Sequence, residues 1–173
     1  MRIAALVGPG FEDSEFRTPY DRFKKAGHEV VIVGMKKGET LSGAKGRERA
    51  QVELELGDAR PDQFDALFIP GGYSPDHLRA DDRAVDFVRR FRDKPIFAIC
   101  HGPQLLITAD LVRDRTITAW KTVQVDLRNA GAKVVDKDVV VDRNLITSRK
   151  PDDIEAFVRE ALRLVENQKT AHA

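Results

Sequence analysis

A single cysteine, Cys100, stands in a chain of 173 residues, so no disulfide can form within it. That scarcity points to a reducing compartment and leaves the sulfur free for chemistry. The four histidines (His28, His77, His101 and His172) lack zinc-ligand spacing, so no metal is expected. No apolar run approaches the ~18 residues of a membrane span. The first such run, residues 3–7, is too short for a secretory h-region. We therefore expect a cytoplasmic protein with no membrane partner. Charge of one sign is also missing: 29 Lys and Arg face 28 Asp and Glu, a formal net charge of +1. Without a basic stripe, no specific nucleic-acid partner is expected. P-loop, Gly-x-Ser-x-Gly and Cys-x-x-Cys motifs are absent. Gly8-Pro9-Gly10 runs into Phe11 and acidic residues, which is wrong for a dinucleotide fingerprint, so no cofactor is expected.

What is present is an alternation of short apolar runs with amphipathic helical patterns, the mark of an α/β protein whose parallel sheet is covered on both faces. Residues 3–7 form a first strand, and Phe16, Tyr20 and Phe23 a helix face that Gly27 ends. Residues 30–33 form a second strand. Residues 36–50 are polar and glycine-bearing, an exposed loop or small hairpin. Val52, Leu54 and Leu56 alternate with Glu53 and Glu55 like a half-buried strand. Core strands are expected at 66–69 and 95–99, with a helix on Ala84, Val88 and Phe91 between them. Beyond come a helix over about 103–109, a strand at 116–120, a helix near 123–130, and short strands near 134, 139–141 and 145–147. Ile154, Phe157, Val158, Ala161, Leu162 and Val165 stripe a last helix, with Pro151 suited to its first turn and Asp152 and Asp153 to its dipole. One domain over 1–167 and a frayed polar tail over 168–173 complete the expectation.

Three turns follow predicted core strands: residues 8–15, 70–76 and 100–104. If those strands are parallel neighbours, the turns meet at the carboxyl edge of the sheet, where ligands bind in such folds. A lone cysteine is often only a small buried hydrophobe. Cys100, however, ends a strand, and Gly102-Pro103 opens a helix directly behind it, the arrangement of a nucleophile elbow. His101 is the usual residue type for a general base serving such a thiol. The consecutive Gly71 and Gly72, with the His101 amide, supply backbone N–H groups for an oxyanion.

These segments resemble the DJ/PfpI superfamily, in particular its PfpI-type intracellular peptidase branch. The likeness covers nearly the whole chain: Gly10-Phe11-Glu12-Asp13, Lys25-Ala26-Gly27-His28-Glu29-Val30, Phe64-Asp65-Ala66-Leu67, Pro70-Gly71-Gly72, Ile99-Cys100-His101-Gly102-Pro103-Gln104 and Ser148-Arg149-Lys150-Pro151-Asp152-Asp153. The resemblance implies a flavodoxin-like three-layer sandwich with a mostly parallel central sheet and Cys100 as nucleophile. It implies that Glu12 hydrogen-bonds the sulfur. We expect Glu12 to be protonated and to donate to the thiolate, with the following helix drawing the thiol pKa down. Asp76 matches the acidic residue that a neighbouring subunit offers the histidine in peptidase members, one methylene shorter than the usual Glu. Trp120 matches an aromatic at the rim, without its hydroxyl. A homo-oligomer, dimer or hexamer, is implied.

Members of the superfamily are described as peptidases, as glyoxalase- or deglycase-like enzymes acting on methylglyoxal adducts, and as stress-protective proteins. Three expectations follow. Cys100 attacks a small carbonyl substrate or a modified protein or peptide, with His101 moving protons and water completing turnover. Or the chain is a peptidase whose site is shared between subunits. Or it is a redox-sensing or chaperone-like stress protein in which Cys100 oxidises to a sulfinate. A glutamine amidotransferase is excluded, because the only histidine downstream of the elbow is His172 in the tail.

Overall fold

A computed structural model describes residues 1–171. In chain order the first elements are β1 (Arg2–Leu6), α1 (Asp13–Lys25), β2 (Glu29–Gly34), the β3 (Thr40–Ser42) and β4 (Arg49–Gln51) hairpin, β5 (Leu54–Glu55) and β6 (Ala66–Ile69). Then come α2 (Ser74–Leu78), α3 (Asp82–Arg89), β7 (Ile96–Ile99), α4 (Pro103–Thr108), β8 (Thr116–Ile117) and α5 (Lys121–Asn129). The chain closes with β9 (Lys133–Val134), β10 (Val139–Asp142), β11 (Leu145–Ser148) and α6 (Ile154–Ala171). Seven strands form the central sheet in the order β10-β11-β7-β6-β1-β2-β5, and only β10 runs antiparallel to its neighbour. This is the mostly parallel, helix-flanked α/β fold that the sequence suggests.

The apolar runs are continuous because both faces of each strand are covered. On β1, Ile3 and Ala5 pack with Phe16 and Phe23 of α1 and Phe157 and Ala161 of α6. Ala4 and Leu6, pointing the other way, join Val88 of α3, Leu105 of α4 and Leu127 of α5. The period of two along the strand thus divides one sequence between two cores. Each fully buried Phe or Leu in them contributes roughly 1.5–3 kcal/mol of transfer free energy. Phe23 meets Phe68 edge-on at 5.6 Å between ring centroids, locking α1 to β6.

Several expectations shift. The alternating segment at 52–56 yields only the two residues of β5, and the expected strand at 116–120 only the two of β8. Residues 36–50 do form a hairpin. The short α2 carries no sequence signal beyond Pro75 at its start. The last helix continues to Ala171, so the backbone is helical where a frayed tail was expected. Residues 172–173, His172 among them, lie outside the described residues.

Candidate active site

The three expected turns do converge. β1, β6 and β7 are parallel neighbours, and their carboxyl-end loops are stitched together. Phe11 bridges to Gly72, the Glu12 amide donates to Gly71 O at 3.1 Å, and the Tyr73 amide to Gly10 O at 2.8 Å. Beyond β7, Cys100 adopts φ 64°. A left-handed conformation costs a residue bearing a Cβ roughly 1–2 kcal/mol, so its neighbours must hold it. The Cys100 amide donates to Ser148 O at 2.9 Å, its carbonyl accepts from the Trp120 amide at 3.0 Å, and the Gly102 amide closes back on Ile99 O at 2.8 Å. A Cβ on Gly102 would strike the carbonyls of Ile69 and Ile99. The Gly102-Pro103 pair is therefore what lets α4 start so close to the sheet.

The elbow places the thiol at the base of a cavity of about 640 Å³, lined among others by Glu15, Gly72, Tyr73, Asp76, His101 and Trp120. The Cys100 sulfur lies 3.4 Å from Nδ1 of His101. The imidazole lies near-parallel to Trp120, with centroids 6.4 Å apart and planes at 27°. Burial lowers the His101 pKa against the opposing charge of Asp76, which favours the neutral ring. The amides of His101 and Gly72 both point at the sulfur. Gly72 sits at φ +79°, where a side chain would drive into Gly10 and Glu12.

The carboxyl group beside the sulfur belongs to Glu15, not Glu12. Glu15 is fully buried on α1, and burial first, then the negative charge of Glu12, push its pKa up to about 8. Within normal hydrogen-bond geometry neither of its oxygens has a protein donor; its neighbours are the Cys100 thiol and the Gly71 backbone. An ionised carboxylate there would lie unsolvated and unpaired, so the site favours the acid. Glu12 is occupied elsewhere as the N-cap of α1. Its Oε2 accepts from the Glu15 amide at 2.9 Å and from Ser14 Oγ, while Oε1 meets Lys45 Nζ at 3.1 Å. Burial would raise its pKa, but the Ser14, Glu15 and Lys45 contacts outweigh that and hold it below the ordinary carboxylate range. The expected protonated Glu12 is thus corrected to an ionised helix cap, one turn from the group that touches sulfur.

A second correction concerns the thiol. Burial pushes its pKa above the ordinary range, and the Glu15 charge and hydrogen bond add to that, while the His101 and Gly72 amides act the other way. With six residues, α4 does not outweigh this. Thiol and carboxyl thus compete for one negative charge, and they titrate as a couple. A thiolate becomes favourable when Glu15 holds the proton, because repulsion is then replaced by a donated hydrogen bond.

The remaining expected residues are accounted for. Asp76 lines the same cavity and faces His101 within its own chain. Trp120 stands at the rim, partly exposed, with Tyr73, 68% exposed, supplying the phenol on another side. Gly71 packs so closely that a Cβ would meet the Glu15 carboxyl and Cys100. Of Glu12, Asp13 and Glu15, the three acids that end the first turn, sequence reasoning settled on Glu12 instead of Glu15, and it assigned no role to Tyr73 or to Gln104, whose buried Oε1 is unpaired in the cavity wall. Among the described residues no cluster of three His, Cys, Asp or Glu side chains could hold a metal ion. No helix among them is long and apolar enough to cross a membrane.

Comparison with known proteins agrees with this geometry. The profile of the DJ-1/PfpI family matches residues 1–164. The chain is 52% identical over 167 residues to protein/nucleic acid deglycase 2 of Escherichia coli (strain K12), covering 95% of this chain and 97% of that protein. It is 51% identical over 168 residues to general stress protein 18 of Bacillus subtilis (strain 168), covering 95% and 98%. Among solved structures, a two-domain protein from Anabaena variabilis with DJ-1/ThiJ/PfpI-like and ferritin-like domains superposes with a TM-score of 0.93 at 39% identity. That match covers 95% of this chain and 48% of the larger one, so the chain spans about half of the two-domain protein.

Proposed function

Because this chain belongs to the DJ-1/PfpI family, we propose that it is a stress-protective cysteine hydrolase that releases carbonyl adducts, of the methylglyoxal type, from amines. The observation that carries this reading is the strained Cys100 elbow, backed by a buried carboxyl group and two backbone amides and opening on a cavity of about 640 Å³. In such an adduct the nitrogen sits on a hydroxylated carbon beside a ketone. His101 takes the hydroxyl proton, a carbonyl forms as the bond to nitrogen breaks, and the proton passes to the departing amine. The thiolate adds to the freed aldehyde carbon, and the displaced electron pair moves to oxygen, where the Gly72 and His101 amides receive it. His101 then moves the hydrogen of that carbon to the neighbouring ketone carbon, which leaves a hydroxyacyl thioester, and water hydrolyses the thioester to a hydroxy acid and returns the thiolate. Glu15 keeps its proton throughout and stabilises the sulfur each time it carries charge. The acceptor-rich wall of Asp76 and Gln104 suits N–H-bearing adducts over anionic ones. The relative named as a deglycase supports this substrate class over peptides.

A second reading rests on the same donors. Two amides and a protonated carboxyl group would also hold the oxygens of a sulfinate, formed when two successive peroxides each pass one oxygen to the sulfur and leave as water, making Cys100 a redox sensor, in keeping with the relative named as a general stress protein. The proposal further places the protein in the cytoplasm as a homo-oligomer, with residues 1–167 as one domain. The test is adduct release from methylglyoxal-treated amines, beside peptide cleavage, in wild type and Cys100→Ser. We expect adduct release to be lost in Cys100→Ser and peptide cleavage to be slow in both. Adduct release that persists without the thiol would overturn the enzymatic reading.

A further inference from the structure

The opposite end of the sheet carries a cleft that the Cys100 chemistry does not use. It lies at the amino ends of β7 and β11, where Ile96 and Leu145 form part of its floor. With four residues of β7 between them, it stands on the order of 13 Å from the thiol end. The cleft encloses about 410 Å³ and is lined by four arginines, Arg92, Arg113, Arg115 and Arg143, against two aspartates, Asp93 and Asp110. Arg115 is committed to the fold: its Nε donates to Asp142 at 3.0 Å and its Nη2 to Asp142 O and Asn144 Oδ1 at 2.7 and 2.9 Å. The other three are not. Arg113 meets Asp110 only at 3.4 Å with both side chains more than 65% exposed, and Arg143 meets an Asp142 already engaged by Arg115. Such exposed pairs are weak and exchangeable. Arg92 has no side-chain partner among the described residues.

Arg143 is the informative position. Asp142 pairs with Leu145 across the β10–β11 hairpin, leaving Arg143 and Asn144 as its two-residue turn. Arg143 sits there at φ 54°, where glycine is the residue that folding alone would favour. An arginine at that place is explained by what its guanidinium does above the cleft, not by the turn.

We propose that this cleft binds a diphosphate group, free or carried on a nucleoside. The free guanidinium of Arg92 and the weakly paired ones of Arg113 and Arg143 match phosphate oxygens in pairs. Arg92, Arg113 and Arg143 outnumber Asp93 and Asp110, so the lining stays net positive, and the volume exceeds that of a single phosphate. The experiment is calorimetric titration of the full chain with inorganic pyrophosphate, ADP and AMP near physiological salt. Saturable binding of pyrophosphate and ADP, with AMP much weaker, is expected. Tighter ADP than pyrophosphate assigns the nucleoside-borne source, and equal or weaker ADP the free ion. Cys100→Ser should bind as wild type does. Arg143→Gly should bind at least about tenfold more weakly while its unliganded melting temperature stays level or rises, because glycine relieves the left-handed turn. Arg92→Ala, which breaks no contact of the fold, should weaken binding similarly. No saturable binding, or unchanged affinity in both arginine variants, would overturn the proposal. So would an Arg143→Gly effect confined to oligomeric state, which would make the cleft an interface between copies of the chain.

Discussion

At the scale of single residues, the site turns on which carboxyl group holds a proton. Glu15, with its pKa raised to about 8, binds a proton more tightly folded than unfolded. Its contribution to stability is therefore fully present below the unfolded carboxylate value, near ~4.3, and is lost as pH rises through the folded value. Glu15→Gln should flatten the fall in melting temperature between about pH 5 and 8, and should leave the protein more stable than wild type above pH 8. The thiol gives a second readout. In the pH dependence of Cys100 alkylation, Glu15→Gln retains a donor and should keep much of the thiolate population, whereas Glu15→Leu should raise the apparent thiol pKa clearly. An unchanged profile in Glu15→Leu would remove the proton-donor role. Glu12→Gln should act more weakly and indirectly, by removing the charge that helps hold the proton on Glu15. The sequence carried a signal for this residue that motif reading passes over. Glu15 precedes Pro19 by four positions and Phe23 by eight, and so lies on the buried stripe of α1. A glutamate on an apolar stripe needs a partner. Which of three neighbouring acids meets the sulfur depends on the pitch of a helix whose first residue the sequence does not mark.

At the scale of elements, the strands that build the elbow were legible because they are buried on both faces, with Gly8 and Pro70 stopping β1 and β6 and Gly102-Pro103 close behind the end of β7. For the two-residue strands β5, β8 and β9 the places were legible but the short extents of β5 and β8 were not, since so brief a pairing, at the sheet margin or in the separate β8–β9 ribbon, leaves almost no periodicity. Nor was the role of Asp13. It is buried, with Lys45, Arg47 and Glu48 amides donating to it at 2.8 Å each, and it pins the loop that brings Ala44 and Lys45 to the site. Burial raises its pKa, but these three bonds outweigh that and hold it low. Its stabilisation is thus present above the unfolded Asp value and lost as pH falls through the folded one. Asp13→Ala strands three donors and should cost about 3 kcal/mol in urea denaturation at pH 7. Adduct release should fall with it as the loop loosens. Asp13→Asn, which keeps one acceptor oxygen, should recover part of both. A loss in Asp13→Ala within ~0.5 kcal/mol would mean that the loop is held by the β3–β4 hairpin alone.

At the scale of the whole molecule, strand order was the least legible feature, because β6 and β7 insert on the far side of β1 and nothing local to either strand says so. That order brings three loops to one edge and sets Asp76 facing His101 inside a single chain. A family-based expectation assigns this acid to a neighbouring subunit instead. The two arrangements differ in a mixing experiment. Cys100→Ser lacks the nucleophile, and Asp76→Ala lacks the charge that opposes the lowering of the His101 pKa; the latter should lose activity about tenfold or more, chiefly at the alkaline side where a neutral base is least assisted. If each site takes Asp76 from its own chain, co-refolded mixtures of the two variants show only the sum of their separate activities. If it comes from a partner, mixed dimers regain one intact site in some assemblies, and activity rises above that sum. Light scattering on the same samples must show a mass above the 19.4 kDa of one chain for the mixing to be informative, and a monomer alone would itself remove the shared site. We expect an oligomer without complementation: the cavity is assembled by the carboxyl ends of β1, β6 and β7 of one chain, and association adds walls around it, not a catalytic group.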